Sequence, residues 1–354
     1  MPSKLRILLS GPGLIGKVHA RIVAAQESCE LAVIVAPSSK ENRDFALAAG
    51  AAFYTDLGEA LDAQPIDGVI ISSPNAFHFE QAMICIARSI PTLIEKPLTD
   101  QIDEAFRLHD AVNRSGVSVL VGHHRTYSPL LNVALEFLRS EKFGRLVAFQ
   151  GSALFLKPDH YFEDGPWRAL KGGGPILINL IHEIGLMREF CGEIAAVQAM
   201  GSHDIRKFPV EDTAAIILQF VNGALGTFLL SDAAASSKSW EMTSGENPAY
   251  PHFNQEACYH FAGTNGSLDF PSMRVKSYPT SEARSWWKPF DETKLEFTSQ
   301  DPLEAQINHF VAVIRDGAKP RVSANDGYRN IRVIEAIRQS IETGQKESVV
   351  EGET

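Results

Sequence analysis

The chain has 354 residues, of which 44% are hydrophobic and 21% are charged, and its formal net charge is −10 at pH 7. This length exceeds what one typical core supports and predicts two domains. Because no basic block offsets the acidic balance, we expect neither a nucleic-acid nor a membrane-surface partner. No apolar run approaches the roughly 18 residues that a membrane span requires.

The N-terminus and the cysteines indicate the compartment. Residues 1–4 lead directly into a strand-like run, so no signal peptide is predicted. The four cysteines are far apart and include no C-x-x-C pair, which favours reduced thiols over zinc ligands or a disulfide framework. We therefore expect a cytoplasmic protein.

Strand-like and helix-like segments alternate over the first third of the chain. The predicted strands are residues 5–9, 31–35, 68–72, 92–94 and 117–121, and the predicted helices are residues 16–25, 40–49, 57–62, 76–87 and 102–115. This alternation is typical of an α/β domain with a parallel sheet covered by helices on both faces. Ligands of such sheets bind at the carboxyl ends of the strands.

The pattern changes after about residue 125. A predicted helix at 130–139 is followed by longer strands at 146–156, 195–202, 214–220 and 224–233, and the chain closes with an amphipathic helix at 326–343. The turn at 221–223 predicts a hairpin between the last two strands. Several antiparallel strands with few helices predict a second domain of the α+β class.

A glycine-rich turn follows the first predicted strand. Its sequence is Gly11-Pro12-Gly13-Leu14-Ile15-Gly16. A strand, then G-x-G-x-x-G, then a helix form the context of a dinucleotide-binding fingerprint. Gly11 permits the tight turn, Gly13 lets the backbone approach a pyrophosphate, and Gly16 lets the helix pack on the strand. The N-terminus of the helix adds unpaired N–H groups for the phosphates.

A charged pair, Glu95-Lys96, ends the fourth of these strands and precedes Pro97. Charges are common at the solvent-facing end of a strand, and that reading is an alternative for this pair taken alone. In the same sheet as the glycine motif, a lysine here is suited to bind a substrate hydroxyl and assist removal of its proton while a hydride leaves the same carbon. Pro97 would fix the backbone so that Lys96 points into the cleft.

Four motifs together resemble the Gfo/Idh/MocA family of nicotinamide-dependent oxidoreductases. They are the glycine turn, Ser73-Pro74-Asn75 with His78, Glu95-Lys96-Pro97, and Gly172-Gly173-Gly174 followed by His182. The resemblance runs nearly end to end. It implies a Rossmann domain with a doubly wound parallel sheet at 1–125 and an α+β domain with a large open, mainly antiparallel sheet at 126–354. It also implies a homodimer or homotetramer formed through that sheet, and a last helix that packs back towards the first domain.

The resemblance also implies roles for individual residues. The cofactor's pyrophosphate is held by Gly11, Gly13, Leu14 and Ile15. The ribose and nicotinamide side of the cofactor is lined by Ser73, Asn75 and His78. Glu95 holds a ribose hydroxyl, and Lys96 bridges nicotinamide and substrate. His182 matches the acid/base position of the family. The family often carries an Asp four residues earlier, but this chain has Ile178 there, with Asn179 adjacent. Asn179 is then a candidate to bind a substrate hydroxyl.

The end of the second strand bears on the choice between NAD and NADP. An NAD site would carry an acidic residue about 20 residues after the glycines, whereas this chain has Ala36 there, followed by Ser38, Ser39 and Lys40. These polar groups, with Arg43, are suited to a 2′-phosphate. An equal alternative is that the serines cap the next helix. We expect NADP or NAD, with NADP favoured.

Other polar residues are predicted to line the substrate site. His124 and Arg125 follow the strand at 117–121, and Lys157 and Arg168 precede the triple glycine. The adjacent pair His123-His124 predicts no metal, because successive side chains at a strand end diverge and no third ligand is evident. The segment 240–248 is expected to be a surface loop or a loop that reaches the substrate.

These observations predict a dehydrogenase that transfers a hydride between nicotinamide and a carbinol carbon of a sugar, sugar acid, polyol or cyclic dihydrodiol. Lys96 and His182 are the expected proton-transfer residues. Two alternatives are a glycosidase that retains NAD and uses transient oxidation, and a regulator that binds a dinucleotide or sugar without catalysis. The presence of Lys96 and His182 argues against the regulator.

Overall fold

The computed structural model describes residues 3–350 and divides the chain into two compact units. The first unit combines residues up to Tyr127 with Asp301–Ile331, and the second combines Ser128–Gln300 with the residues from Arg332 onward. The sequence predicts a single boundary near residue 125. The segment 301–331 instead groups with the first unit, where Ile307 and Phe310 share a core cluster with strand residues near the N-terminus.

The helices and strands occur in the following order along the chain. The strands are β1 (Leu5–Ser10), β2 (Cys29–Val35), β3 (Ala52–Tyr54), β4 (Gly68–Ile71), β5 (Thr92–Ile94), β6 (Val119–Val121), β7 (Leu146–Leu154), β8 (Ile194–Ser202), β9 (Thr213–Phe220), β10 (Leu225–Ser231), β11 (Tyr259–Gly263), β12 (Gly266–Phe270), β13 (Arg274–Ser277), β14 (Asp291–Lys294) and β15 (Glu347–Ser348). The α-helices are α1 (Leu14–Ala25), α2 (Lys40–Ala48), α3 (Leu57–Ala63), α4 (His78–Ala87), α5 (Ile102–Ser115), α6 (Pro129–Leu138), α7 (Asp159–Glu163), α8 (Ile181–Cys191), α9 (Trp240–Thr243), α10 (Pro302–Asp316) and α11 (Ala324–Thr343).

The first unit is a six-stranded parallel sheet in the order β3-β2-β1-β4-β5-β6. Strands β4, β5 and β6 are buried along their whole length, as expected for parallel strands covered on both faces. The strand order reverses between β1 and β4, and such a switch point is where doubly wound sheets bind nucleotides. The predicted Rossmann domain is confirmed.

The second unit is a nine-stranded mixed sheet in the order β14-β13-β12-β11-β7-β10-β9-β8-β15. Only β7 and β10 run parallel among its paired strands in the described residues, and the other pairs are antiparallel. Along β9 and β10 buried and exposed residues alternate, so one face is packed and the other faces solvent. The predicted open, mainly antiparallel sheet is confirmed.

Several local features differ from the sequence-based expectation, and the strands β11–β15 and the helices α7 and α10 were not predicted. The short strand β3 was not predicted, because its three residues Ala-Phe-Tyr give no periodic signal. The segment 240–248, expected as a loop, begins with the helix α9, and its Trp240 is 3% exposed with its Nε1 donating to Glu246 Oε2 at 3.0 Å. No described helix is both long and apolar enough to cross a membrane.

Candidate active site

The glycine turn has the geometry that close approach to a ligand requires. Gly11 has φ of 87°, and a Cβ there would lie 2.5 Å from Ser73 N. A Cβ at Gly16 would lie 2.1 Å from the carbonyl oxygen of Gly11, so both positions are restricted to glycine. Gly13 faces open space and caps α1 without a side-chain hydrogen bond, which leaves the first N–H groups of the helix accessible. These features fit a dinucleotide pyrophosphate.

The segment that follows β2 contains a serine that caps α2 and an arginine that has no acidic partner among the described residues. Ser39 accepts a hydrogen bond from Asn42 N at 3.1 Å, which confirms the capping role for this serine. Arg43 Nη2 donates to Ser38 Oγ at 2.6 Å, and the guanidinium lies 5.7 Å from the centre of the Phe53 ring. No carboxylate pairs with Arg43 within residues 3–350. Its charge is thus available to an anion beside Ser38.

Lys40 differs from Arg43 because it already has an acidic partner. Its Nζ donates to Asp44 Oδ2 at 2.8 Å in an exposed pair one helical turn apart. Such a pair contributes little to stability, but it partly neutralises the lysine charge. Of the two cations in this segment, Arg43 is the better candidate to bind a 2′-phosphate.

The loop after β4 is held by a buried histidine. The Nδ1 atom of His78 lies 2.8 Å from the Pro97 carbonyl oxygen, and its Nε2 lies 2.9 Å from the Ser73 carbonyl oxygen. Burial lowers the pKa of His78 despite these two backbone contacts. The ring therefore connects the loops after β4 and β5, whereas Ser73 and Asn75 are half-buried at the loop surface. Ser73 Oγ also donates to Gln81 Oε1 at 2.9 Å.

Glu95 at the end of β5 is buried and paired with a residue that the sequence analysis did not single out. Its Oε1 lies 2.7 Å from Nε2 of His19 on α1. Burial raises the pKa of Glu95, but the hydrogen bond and charge of His19, with Lys96 and His124, outweigh burial and lower it to about 2. The carboxylate is therefore ionised next to the half-buried Lys96. Its predicted contact with a ribose hydroxyl stays a prediction.

The segment after β6 carries the predicted His124 and Arg125. Arg125 is 4% exposed, and His123 is 2% exposed with its Nε2 at 3.2 Å from Asn330 Nδ2 on α11. Burial, followed by the charge of Arg125, lowers the pKa of His124 to about 3. His124 is therefore a neutral hydrogen-bonding group at physiological pH. No group of three metal-ligating side chains occurs among the described residues.

In the second unit the structure brings Lys157 and Asn179 together. Lys157 Nζ donates to Asn179 Oδ1 at 2.7 Å and lies 3.4 Å from Asp232 Oδ2. Asp232, itself 2% exposed, accepts a second hydrogen bond at 2.8 Å from Arg206 Nε. Asn179 lies in a π-helical turn, Ile176–Leu180, a rare conformation that is frequent at functional sites. Asp232 and Arg206 were not predicted.

Arg168 is connected to this cluster through Tyr161. The Tyr161 ring centre lies 4.0 Å from the Arg168 guanidinium carbon and 4.8 Å from Lys157 Nζ, so one ring holds both cations. Arg168 Nη1 also donates to the Tyr161 carbonyl oxygen. In the described part of the chain Arg168 has no carboxylate partner, whereas the charge of Lys157 is matched by Asp232.

His182 lies in the first turn of α8 and is 7% exposed. The next residue, Glu183, is 1% exposed and accepts a hydrogen bond from the hydroxyl of Tyr259 on β11. Each predicted proton-transfer residue is thus preceded or followed by a buried carboxylate. The sequence analysis did not single out Tyr259. It belongs to no motif, and its partner Glu183 is remote in the sequence.

We expect Tyr259→Phe to destabilise the second unit by about 1–3 kcal/mol, because the buried Glu183 carboxylate loses the hydrogen bond that the Tyr259 hydroxyl donates. The phenyl ring keeps the stacking of Tyr259 on Phe270, whose ring centres are 5.8 Å apart. Urea unfolding measures the change. The control Tyr278→Phe removes a 2.9 Å bond from a half-buried hydroxyl to Ser285 O and should cost about 1 kcal/mol or less. Equal effects of the two variants would contradict the importance of the Tyr259 contact.

Comparisons with known proteins agree with this fold. Residues 5–123 match the Gfo/Idh/MocA oxidoreductase family, NAD-binding Rossmann fold, and residues 136–350 match its C-terminal α/β domain. The rhizopine catabolism protein MocA of Rhizobium meliloti is 25% identical, with 94% of each chain covered. D-xylose 1-dehydrogenase (NADP(+)) 2 of Haloferax volcanii is 26% identical, with 92% of this chain and 94% of the relative covered.

A solved structure supports the fold over the whole chain. The WlbA dehydrogenase from Bordetella pertussis, in complex with NADH and UDP-GlcNAcA, has a TM-score of 0.80 at 20% identity and covers 99% of this chain and 100% of its own. The protein is an NAD(P)-dependent oxidoreductase that acts on CH–OH groups. It belongs to the Gfo/Idh/MocA family.

Proposed function

We propose that the substrate is a small polyhydroxylated molecule, namely a sugar, sugar acid, polyol or cyclic dihydrodiol. The observation that carries this proposal is the cluster of Lys157 and Asn179 against Asp232, which brings hydrogen-bond donors and acceptors together. Such a set suits hydroxyl groups, which both donate and accept. The similar MocA and D-xylose dehydrogenase support a compound of this class.

We infer that Lys96 and His182 move the hydroxyl proton. Lys96 follows the ionised Glu95 in the first unit, and His182 follows the π-helical turn in the second. A positioned lysine or histidine takes up a proton as the hydride leaves the carbinol carbon. The nicotinamide, when bound, supplies the hydride acceptor or donor.

The roles of the remaining site residues follow from their positions. For the cofactor we assign Gly11, Gly13, Leu14, Ile15 and Gly16 to the pyrophosphate, and Ser73, Asn75 and Glu95 to the ribose and nicotinamide side. His78 holds the loop after β4 to the loop after β5, because its two ring nitrogens contact the backbone carbonyl oxygens of Ser73 and Pro97. For the substrate we assign Asn179 and Lys157, with His124 and Arg125 at the boundary to nicotinamide.

Arg168 favours substrates that carry an acidic group. Its guanidinium is fixed over Tyr161 and has no carboxylate partner among residues 3–350. Arginine binds carboxylate and phosphate through parallel N–H donors. Lys157 is less suited to this role because it already pairs with the Asp232 carboxylate. Sugar acids are therefore favoured within the proposed class.

We propose that NADP is preferred over NAD because Arg43 and Ser38 form a preorganised pair beside the expected 2′-position. Arg43→Ala should weaken NADPH binding about tenfold to a hundredfold, since a charge-assisted hydrogen bond contributes about 1.5–3 kcal/mol. NADH binding should change little. Calorimetric titration measures both affinities. The control Lys40→Ala removes a lysine that is already paired with Asp44 and should have a smaller effect. An equal loss of both coenzymes in Arg43→Ala would contradict the assignment.

The solvent-facing side of the nine-stranded sheet is a candidate homodimer or homotetramer interface. It exposes the apolar side chains of Val147, Met200, Ile217, Leu225 and Leu229, and Met200 and Leu229 both pair with Ala215 across β8, β9 and β10. Exposed apolar patches on sheets mark association surfaces. Light scattering of the purified protein measures the oligomeric state and tests this interface.

A cytoplasmic location is also proposed, because all four cysteines are buried free thiols.

The proposed function is tested with purified, cofactor-stripped protein. Calorimetric titration with NAD and NADP in both redox states identifies the coenzyme, and turnover is then followed by the absorbance of the reduced nicotinamide. The panel pairs neutral sugars and polyols with the corresponding sugar acids. We expect turnover on members of this class. Binding of a coenzyme without turnover of any member would contradict the substrate class, and release of sugar from a glycoside without net reduction would favour the glycosidase.

A further inference from the structure

We propose that His19 is a positioning residue of the reaction. Acting through Glu95, it fixes the segment that carries Lys96 relative to the helix that begins at the glycine turn. The proposal rests on the proposed role of Lys96 at the reacting end of the coenzyme.

The first step is the contact between α1 and the end of β5. His19 is fully buried in the second turn of α1 and faces the sheet, where its Nε2 lies 2.7 Å from Glu95 Oε1. The side chains are 0% and 6% exposed. Water does not compete with a contact so deeply buried, and removal of one partner leaves the other polar group buried and unsatisfied.

The second step is the connection from Glu95 to Lys96. The other carboxylate oxygen, Oε2, accepts a hydrogen bond from the backbone N–H of Lys96 at 3.2 Å, and Glu95 N donates to Ile71 O at 2.8 Å. Gly122, at the end of β6, lies against the carboxylate, and a Cβ there would be 2.9 Å from the carboxyl carbon. The carboxylate is therefore enclosed between α1 and β6 and cannot turn away from the Lys96 backbone.

The third step is that His19 has one partner in this environment. Its Nδ1 has no hydrogen-bonding partner among the described residues, so the contact with Glu95 through Nε2 accounts for the polar role of the ring. A glutamine side chain places its amide nitrogen at about the same reach as Nε2, whereas asparagine is too short. Gln at position 19 should therefore retain the contact, and Asn should lose it.

These contacts connect the glycine turn, assigned to the pyrophosphate, with the segment assigned to the nicotinamide end. The helix of His19 starts at Gly13, the glycine that faces open space beside the expected pyrophosphate, and Glu95 adjoins Lys96. If His19 only supported the fold, its loss would affect the whole site equally. If it positions Lys96, its loss should affect the nicotinamide end and spare the adenine end. A displacement of about 1 Å costs about 100-fold in rate.

The experiment compares His19→Asn, His19→Gln and the control His260→Ala in the full-length protein. The control removes another His–carboxylate contact of 2.7 Å, to Asp269 in the nine-stranded sheet. Affinities are measured for NADPH and for 2′,5′-ADP, which lacks the nicotinamide half, or for NADH and ADP-ribose if NAD is the preferred coenzyme. The parameters kcat and KM are measured with a substrate from the panel.

For His19→Asn we expect 2′,5′-ADP to bind within about twofold of the native protein, NADPH to bind about tenfold more weakly, and kcat to fall about 100-fold with little change in KM. His19→Gln should restore kcat to within about fivefold of the native value, since a neutral donor replaces the ring. The control should leave all four quantities unchanged.

Three results would overturn the proposal: equal weakening of both ligands, an unchanged kcat in His19→Asn, or a folded His19→Gln that fails to restore activity. If His19→Asn does not fold, Gly122→Ala gives a second test, because its new methyl group would lie 2.9 Å from the Glu95 carboxylate and 3.0 Å from Glu95 Cα and so displaces Glu95 without removing a charge. Failure of the proposed function is recognised separately, since the native protein itself would then show no coenzyme binding or no turnover.

Discussion

Lys96→Met should greatly slow turnover while the coenzyme still binds. We expect kcat/KM to fall by a factor of about 10²–10⁴, the usual contribution of a positioned acid or base. Methionine keeps the length and apolar stem of lysine but can neither donate nor accept the hydroxyl proton. Steady-state kinetics measure the loss, and calorimetric titration shows whether the coenzyme site is intact.

The control for this prediction is Lys142→Met, which removes an exposed lysine from the turn before β7. It should have native kinetics. Native turnover in Lys96→Met would remove Lys96 from the reaction. Loss of coenzyme binding together with turnover would show that Lys96 holds the nucleotide and would contradict a role confined to proton transfer.

Asp232→Ala should have the largest effect on stability. Asp232 pairs with Lys157 and Arg206, whose side chains are only 10% and 9% exposed, so its removal takes the buried carboxylate away from two buried cations. Breaking a buried pair in this way costs about 3–5 kcal/mol. We expect a corresponding decrease in the free energy of unfolding, measured with urea. Substrate affinity should also fall, because Lys157 loses the group that aligns it with Asn179.

A matched exposed pair provides the control. Asp62→Ala breaks the salt bridge to Arg88, in which the Asp62 side chain is 70% exposed. It should change the free energy of unfolding by less than about 1 kcal/mol. Asp232→Asn keeps the shape and one acceptor and should lie between the two alanine variants. A decrease below about 1 kcal/mol in Asp232→Ala would contradict the proposed importance of the buried cluster.

The parallel sheet was predictable because its signals are local. Each strand is a short apolar run, and the glycine turn has a fixed spacing that follows from close backbone approach. The strand β5 and the helix α5 were predicted to the residue. Lys157 and Asn179, both predicted for the substrate site, form a direct hydrogen bond although they are 22 residues apart, and their role in binding substrate stays a prediction.

The partners of the predicted residues were not accessible from the sequence. His19 belongs to the helix after the glycine turn, and only the folded sheet brings it to Glu95, 76 residues away. Tyr259 and Glu183 are also 76 residues apart. Such contacts depend on strand order, and no spacing rule encodes them. The return of residues 301–331 to the first unit has the same origin, because the amphipathic pattern of α10 does not indicate which core its apolar face joins.

The most direct test of the account is to follow the hydride. Native protein is incubated with oxidised coenzyme and a substrate that carries deuterium on the carbinol carbon, and the recovered coenzyme is analysed by NMR. We predict deuterium at C4 of the reduced nicotinamide in amounts that match the ketone or lactone formed, and incorporation at least about 100-fold slower with Lys96→Met. Consumption of the substrate with no deuterium in the recovered coenzyme would contradict the assignment as a dehydrogenase with a dissociable coenzyme.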